Sequence, residues 1–295
     1  MTEIRHVTVR DIDFAYLESG PPDGPLALLL HGFPDHAITW SYLLDDLAAA
    51  GYHAVAPWTR GYAPTSLAPD GNYQVANLAL DAIALADHFA GDRTDAVLIG
   101  HDWGAISAYT AAAHAPDRFA KLVTLAVPHA AAVANHFLNE PEQLKRSFYV
   151  FLFQTPLADF AVPADDYKLI DFLWATWSPG YTPDPAFMRA LKDSFDVPGC
   201  LSAAVDYYRF TMGTKPSDPA LDTVQQAGNG TISIPTLYLH GATDGGMGAE
   251  VVVPDEMTPL FPAGLEFEMV PEVGHFLHRE QPAHINARIL EFLGG

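Results

Sequence analysis

The sequence has few of the features that mark secreted, membrane-bound or nucleic-acid-binding proteins. Its 295 residues include one cysteine, Cys200, which excludes a disulfide bond within the chain and favours the reducing cytoplasm. No apolar run approaches the roughly 18 residues that a membrane-spanning helix needs, and the polar stretch Met1–Arg5 does not predict a signal peptide. The formal net charge is −21, from 15 Lys and Arg against 36 Asp and Glu. So acidic a surface repels nucleic acid and anionic membranes, and we expect neither as a partner.

The sequence also lacks a recognisable set of metal ligands. Thirteen histidines are present, but most stand alone in the sequence. The nearest pair, His275 and His278, has no Cys or His residues spaced around it as in zinc sites. We therefore predict that the protein needs no metal ion and no cofactor. A monomer and a homodimer are both compatible with the sequence.

What the chain does contain is an alternation of short apolar strands and helices. Strands separated by helices indicate βαβ units, so we predict an α/β fold with a mostly parallel sheet and an antiparallel hairpin at one edge. The predicted strands are Arg5–Val9, Phe14–Glu18, Leu26–Leu30, His53–Ala56, Ala96–Ile99, Leu122–Ala126, Pro235–His240 and Leu265–Val270. The predicted helices are Trp40–Ala50, Val75–Phe89, Gly104–Ala113 and Pro282–Leu293.

Residues 129–230 interrupt this alternation. The region is rich in aromatic residues and proline and shows no clear parallel strand. We interpret it as a helical cap domain inserted after the sixth strand, with residues 1–128 and 231–295 forming the core domain. Long insertions after a sheet strand often cover a site at the edge of the sheet.

The pentapeptide Gly100–Gly104 carries the strongest functional signal. It has the form Gly-x-Asp-x-Gly and follows the apolar run Ala96–Ile99, a pattern typical of a sharp strand-to-helix turn with no room for side chains at the glycines. Asp102 stands where Ser is usual, which disfavours an ordinary esterase. An Asp that attacks a saturated carbon forms an ester that activated water can hydrolyse, whereas a Ser would form a stable ether. The expected electrophile is therefore an epoxide or an alkyl halide.

Hydrolysis of such an ester needs a base and a carboxylate that orients it. Asp244 follows the seventh predicted strand, and His275 follows the eighth. The carboxyl ends of parallel strands meet at one edge of the sheet, where α/β active sites lie, and the order nucleophile, acid, His is that of α/β-hydrolases. We predict a triad of Asp102, Asp244 and His275. Five other histidines are expected to be structural or surface residues: His31, His101, His114, His240 and His278.

The tetrahedral intermediate of ester hydrolysis calls for two backbone N–H donors. One is expected from Trp103, directly after the nucleophile, and the other from Phe33, in the loop after the strand Leu26–Leu30. Pro34 stiffens this loop, and a cis peptide bond is one way in which it can do so.

These residues together resemble the α/β-hydrolase-fold epoxide hydrolases. The resemblance runs from His31–Pro34 through Gly100–Gly104 to Asp244 and His275, and it includes Leu125–His129, where the cap begins. It implies an eight-stranded α/β-hydrolase fold and an enzyme that opens an epoxide to a vicinal diol. The ester on Asp102 would then be hydrolysed by water that His275 activates, with no cofactor.

The resemblance also implies two cap tyrosines that hold and protonate the epoxide oxygen. One precedes an aromatic-Gln-x-Pro stretch, here Phe153–Pro156, which assigns the role to Tyr149. The other lies in an aromatic-Tyr-Arg motif, which assigns it to Tyr208, with Tyr207 as the alternative one position earlier. Without the resemblance each tyrosine would be read as a core aromatic. The residues expected to contact a small apolar epoxide are Phe33, Pro34, Trp103 and Phe153.

Three other functions remain alternatives. A haloalkane dehalogenase uses the same triad but needs N–H donors around the departing halide; Trp103 supplies one, whereas Phe33 stands where Asn is often found. A fluoroacetate-type dehalogenase would have Arg in place of Trp103. A receptor of this fold that only binds an apolar ligand often lacks a triad member, and here all three are present. The cap tyrosines favour the epoxide hydrolase.

Overall fold

The computed structural model describes residues 3–294, apart from the side chain of Asn135. Residues 1, 2 and 295, which belong to the predicted core domain, lie outside the described residues. The strands are β1 (Arg5–Val9), β2 (Ile12–Ser19), β3 (Leu26–Leu30), β4 (His53–Pro57), β5 (Ala96–His101), β6 (Phe119–Leu125), β7 (Thr236–Gly241) and β8 (Leu265–Val270).

Within residues 3–294 these eight strands form one sheet in the order β1-β2-β4-β3-β5-β6-β7-β8. The pairs β1–β2 and β2–β4 are antiparallel, and all the other neighbours are parallel. The predicted mostly parallel sheet with an antiparallel hairpin at its edge is confirmed. The continuously apolar run of β3 is buried along its whole length, as expected for a central strand covered on both faces.

Some predicted strand limits were wrong, and pairing explains the differences. The hairpin turn consists of Arg10 and Asp11, both with positive φ, so that β2 already begins at Ile12, opposite Val9. A two-residue turn with this backbone suits the twist of a hairpin better than the longer loop predicted at Asp11–Asp13. Strand β6 begins earlier than predicted, at Phe119, because Phe119 pairs with the start of β5.

The helices are α1 (Ser41–Ala49), α2 (Val75–Ala90), α3 (Trp103–His114), α4 (Ala130–Asn139), α5 (Pro141–Arg146), α6 (Phe148–Phe153), α7 (Ala158–Ala161), α8 (Ala164–Trp177), α9 (Pro185–Asp196), α10 (Cys200–Thr211), α11 (Asp222–Ala227), α12 (Pro254–Met257), α13 (Leu277–Glu280) and α14 (Pro282–Leu293). The four predicted helices correspond to α1, α2, α3 and α14, and their limits agree within one residue. Helix α8 contains a kink at Asp165–Tyr167, where φ is positive.

Helices α4 to α11 all lie between β6 and β7 in the chain, in the region predicted to form the cap. The domain limits 129–230 stay a prediction. Within residues 3–294 no helix is both long enough and apolar enough to cross a membrane.

The sheet brings four loops to one edge. Parallel strands β3, β5, β7 and β8 end there, and the loops that follow them carry Phe33, Asp102, Asp244 and His275. The fold therefore places the predicted nucleophile, acid, base and oxyanion-hole donor at the same edge.

Candidate active site

Asp102 occupies a strained turn between β5, which ends at His101, and α3, which begins at Trp103. Its backbone has φ 52° and ψ −119°, a left-handed conformation that is rare for a residue with a side chain. A Cβ atom on Gly104 would overlap the carbonyl oxygen of Leu30, and one on Gly100 would overlap that of Gly104. The two glycines therefore permit the close backbone contacts that hold Asp102 at the tip of the turn.

The three residues of the predicted triad lie together. Nδ1 of His275 is 2.8 Å from Oδ2 of Asp244, and Nε2 of His275 is 3.6 Å from Oδ2 of Asp102. The other oxygen of Asp244 accepts hydrogen bonds from the backbone N–H groups of Gly246, at 2.7 Å, and Met247, at 2.9 Å. These bonds fix the carboxylate, which in turn fixes the ring of His275 with Nε2 towards Asp102.

The charge of His275 depends on its two carboxylate neighbours. Burial lowers the pKa of His275, but the carboxylates of Asp244 and Asp102 outweigh burial and raise it to about 10. With both carboxylates ionised, the imidazole therefore carries a proton at neutral pH. Loss of either negative charge would lower the pKa and so increase the fraction of neutral ring, which is the form that can accept a proton.

The backbone N–H of Phe33 donates a 2.7 Å hydrogen bond to Oδ1 of Asp102. The second predicted donor, the N–H of Trp103, belongs to the first residue of α3, where helix N–H groups have no acceptor within the helix. The peptide bond between Phe33 and Pro34 is cis, as considered from the sequence. The carbonyl of Pro34 accepts a 2.8 Å hydrogen bond from Nε1 of Trp174 in α8, which ties this loop to the helical insertion.

Tyr149 and Tyr208 lie on α6 and α10 and face each other edge to face, with ring centroids 5.7 Å apart. Burial raises the pKa of both hydroxyls well above the usual tyrosine value, and the carboxylate of Asp102 raises both further. Both hydroxyls are therefore within electrostatic range of Asp102. The Tyr208 hydroxyl is buried and has no hydrogen-bond partner among residues 3–294, which leaves its proton available to a ligand.

Tyr207, the alternative to Tyr208, has a different environment. Its hydroxyl donates a 2.7 Å hydrogen bond to the carbonyl oxygen of Arg60. That proton is already used within the protein, so we keep Tyr208 as the predicted second tyrosine.

Aromatic side chains surround these hydroxyls. The ring of Phe33 contacts those of Phe153 and Tyr208, with centroids 5.4 Å away in each case, and the ring of Trp103 lies 4.8 Å from that of Tyr208. The residues predicted to contact substrate thus lie beside the tyrosines. An enclosure of this composition suits an apolar ligand with few polar groups.

Trp177 is a site residue that sequence reasoning missed. Its carbonyl oxygen accepts hydrogen bonds from the N–H groups of Gly245, at 3.0 Å, and His275, at 2.9 Å, so it holds the loops of the acid and the base together. Its ring lies 4.9 Å from both His275 and Tyr149. Because the carbonyl makes the key bonds, the residue type gives no signal of this role.

The histidines expected to be structural or surface residues divide into two groups. His114 is exposed, whereas His31, His101, His240 and His278 are buried. His101 has a closer link to the site than expected, because its Nε2–H donates a 3.0 Å hydrogen bond to the carbonyl of His275. Burial lowers the pKa of His101 to about 3, so this imidazole is neutral at physiological pH.

Comparisons with known proteins identify the family to which the chain belongs. The alpha/beta hydrolase family matches residues 27–288. Human epoxide hydrolase 4 is 30% identical over 98% of this chain and 78% of its own length, and epoxide hydrolase 3 of Xenopus tropicalis is 32% identical over 96% and 75%. The crystal structure of epoxide hydrolase A from Mycobacterium thermoresistibile has a TM-score of 0.81 at 25% identity and covers 100% of this chain and 99% of its own. The predicted fold is thereby confirmed, and the chain belongs to the alpha/beta hydrolase family and, within it, to the epoxide hydrolases.

Proposed function

We propose that this enzyme opens a small apolar epoxide to a vicinal diol through an alkyl ester on Asp102. The observation that supports this most is the common environment of Asp102, Tyr149 and Tyr208: an attacking carboxylate and two neutral hydroxyl donors share one apolar enclosure. A carboxylate alone would suit several leaving groups, but two hydroxyl donors suit a leaving group that is an oxygen atom.

The two oxygens of Asp102 have different roles in the proposed first step. Oδ1 accepts the Phe33 N–H, so Oδ2 is the oxygen that attacks a ring carbon. The C–O bond of the epoxide breaks as the ester bond forms, and the departing oxygen takes a proton from Tyr149 or Tyr208. General acid help of this kind contributes roughly 10²–10⁴ in rate.

Ester formation prepares the second step. The negative charge of Asp102 helps to keep His275 protonated. Ester formation removes this charge and so lowers the pKa of the imidazole. The proton that His275 releases restores the tyrosine hydroxyl, and neutral His275 then accepts a proton from the attacking water. Oδ1 of Asp102 becomes the oxyanion and accepts hydrogen bonds from the N–H groups of Phe33 and Trp103. When the oxyanion collapses, the bond between the carbonyl carbon and Oδ2 breaks, and Oδ2 leaves with the alkyl group. The proton of the added hydroxyl passes to this departing oxygen, so that the diol is released and Asp102 is again a carboxylate.

Isotope labelling in a single turnover tests the proposal. With enzyme in excess over a styrene-type epoxide in ¹⁸O-water, the first diol should contain unlabelled oxygen, because that oxygen comes from Asp102. A first diol that carries the label would show direct attack by water. Halide release from bromoalkanes, measured in parallel, should be far slower than diol formation; the reverse order would favour the dehalogenase.

We further propose that the enzyme works in the cytoplasm, since its single cysteine needs no oxidising compartment. Residues 129–230 form the cap in this proposal, and both a monomer and a homodimer are compatible with it.

A further inference from the structure

A second group of chemically reactive side chains lies next to the triad, and the proposed reaction does not use it. Within residues 3–294, Asp35, His101 and His278 each place one potential ligand atom within 4.8 Å of the others. All three are almost fully buried, with 0, 0 and 2% of their surface exposed. Buried groups of this kind normally have hydrogen-bond partners.

Here three polar atoms of the group have none. Oδ2 of Asp35, Nδ1 of His101 and Nδ1 of His278 lack a hydrogen-bond partner among the described residues, although Oδ1 of Asp35 accepts the N–H of His36 at 2.8 Å. A buried polar atom without a hydrogen-bond partner destabilises the fold. A ligand that satisfies one carboxylate and two imidazoles at once would remove this destabilisation.

The hydrogen bonds around the group are those of metal-ligating histidines. His101 donates its Nε2–H to the carbonyl of His275, which leaves a lone pair on Nδ1 of the neutral ring. Nε2 of His278 lies 2.7 Å from the hydroxyl of Thr39 and 3.9 Å from Oδ2 of Asp35. A histidine that binds a metal almost always donates its other ring N–H to a carbonyl, carboxylate or water, because this fixes the tautomer and the ring orientation.

We propose that Asp35, His101 and His278 form a site for a divalent transition metal ion, with Zn²⁺ as the preferred occupant, and that occupancy inhibits the enzyme. Two imidazole nitrogens and one carboxylate oxygen are a donor set that Zn²⁺ accepts, with a water as fourth ligand. The ion does not take part in the proposed epoxide chemistry.

Inhibition follows from where the ligands lie in the chain. Asp35 is two residues after Phe33, His101 directly precedes Asp102, and His278 is three residues after His275. Tetrahedral zinc with bonds of about 2.0–2.1 Å holds its ligand atoms about 3.4 Å apart, and the potential ligand atoms here lie within 4.8 Å of one another. Binding of the ion would therefore fix the spacing of the three segments that carry the catalytic groups, and we expect this constraint to slow turnover.

The charge of Arg279 limits the affinity. Its guanidinium acts on Asp35 electrostatically and opposes a cation there, so we expect micromolar rather than tighter binding. We expect the site to be filled only when zinc is added or abundant.

Metal binding to the whole chain, first treated with a chelator, tests the proposal. Titration with Zn²⁺ in a chelator buffer should show one site per chain, and Co²⁺ should give the visible absorption bands of a tetrahedral site. The substitution His278→Gln should weaken binding by at least about ten-fold, whereas His114→Gln, which removes an exposed imidazole, should not. Equal affinity in both variants would show that the metal binds elsewhere on the acidic surface and would overturn the proposal.

The wild-type protein provides a check that does not depend on the variants. X-ray absorption of the zinc-loaded chain should show two imidazole ligands and at least one oxygen ligand. No bound metal, or an environment of oxygen atoms only, would refute the site and indicate a buried water or a shared proton instead. These measurements do not need turnover, so their outcome does not depend on whether the proposed function is correct. Added Zn²⁺ should also slow diol formation by the wild-type enzyme. When the rate of each protein is divided by its own metal-free rate, the inhibition should be weaker in His278→Gln than in wild type.

Discussion

Nε2 of His275 lies 3.6 Å from Oδ2 of Asp102, within ion-pair distance but too far for a strong hydrogen bond. On the opposite side of the ring, Nδ1 is held 2.8 Å from Asp244. His275 thus lies between a carboxylate that is permanent and one that the proposed reaction converts to an ester. Its protonation is linked to the chemical state of Asp102.

The first prediction compares how much two substitutions lower the pKa of His275. Asp102→Asn and Asp244→Asn should each lower the pKa of His275 from about 10, and Asp244→Asn should lower it more, because Asp244 is the stronger electrostatic contributor. Both substitutions keep the size of the side chain and remove one negative charge. NMR titration of labelled histidine would measure the values. An unchanged pKa in Asp102→Asn would show that the nucleophile does not control the base.

The second prediction concerns stability against pH. The pKa of His275 is raised from 6.5 to about 10 in the folded chain, so its protonation stabilises the fold. This contribution is fully present below about pH 6.5 and is lost as the pH rises through about 10, at about 1.4 kcal/mol for each unit of pKa difference. The free energy of unfolding of wild type minus that of His275→Gln should therefore decrease over this range in denaturant titrations. A constant difference would contradict the prediction.

The sheet and the meeting of Asp102, Asp244 and His275 at its edge could be predicted because each has a local signal. Leu26–Leu30 is buried on both faces, and this appears in the sequence as a continuous apolar run. Asp102 follows a buried strand between two glycines, and Asp244 and His275 each follow a strand, so that the order of elements alone brings them together. Tyr149 and Tyr208 came from the resemblance, since helical spacing does not separate a catalytic tyrosine from a core one.

Other features depend on contacts that no local pattern records. Trp177 acts through its backbone carbonyl, which any residue would supply. Asp35, His101 and His278 come from three distant parts of the chain, and each alone resembles an ordinary loop or core residue. The hairpin turn lies at Arg10 and Asp11 rather than at the predicted Asp11–Asp13, because both residues have positive φ although neither is a glycine.

The third prediction is that His275→Gln accumulates the ester. Attack by Asp102 needs no base, whereas water attack does, so the variant should stop after the first step. Intact-protein mass spectrometry should show an increase equal to the mass of the epoxide. The double variant Asp102→Asn/His275→Gln should show no increase, and an equal increase there would place the adduct on another residue.

The last prediction separates the three tyrosines. Tyr149→Phe and Tyr208→Phe should each lower kcat/KM for an apolar epoxide by about ten-fold or more. The double variant should lower kcat/KM by about 10²–10⁴-fold, which is the range of general acid catalysis. The single losses are smaller because the remaining hydroxyl still donates. Steady-state kinetics on folded protein would measure them.

Tyr207→Phe is the matched control, since it removes the same atom one position earlier on the same helix. The Tyr207 hydroxyl donates to the carbonyl of Arg60, so its loss should cost about 1 kcal/mol of stability and change kcat/KM by only a few-fold. Thermal unfolding and kinetics on the same samples would distinguish the two effects. If Tyr207→Phe lost as much activity as is expected of Tyr208→Phe, the acid would be reassigned to Tyr207. Helix α10 would then have to shift during the reaction, because the Tyr207 hydroxyl is bound to a backbone carbonyl in this structure.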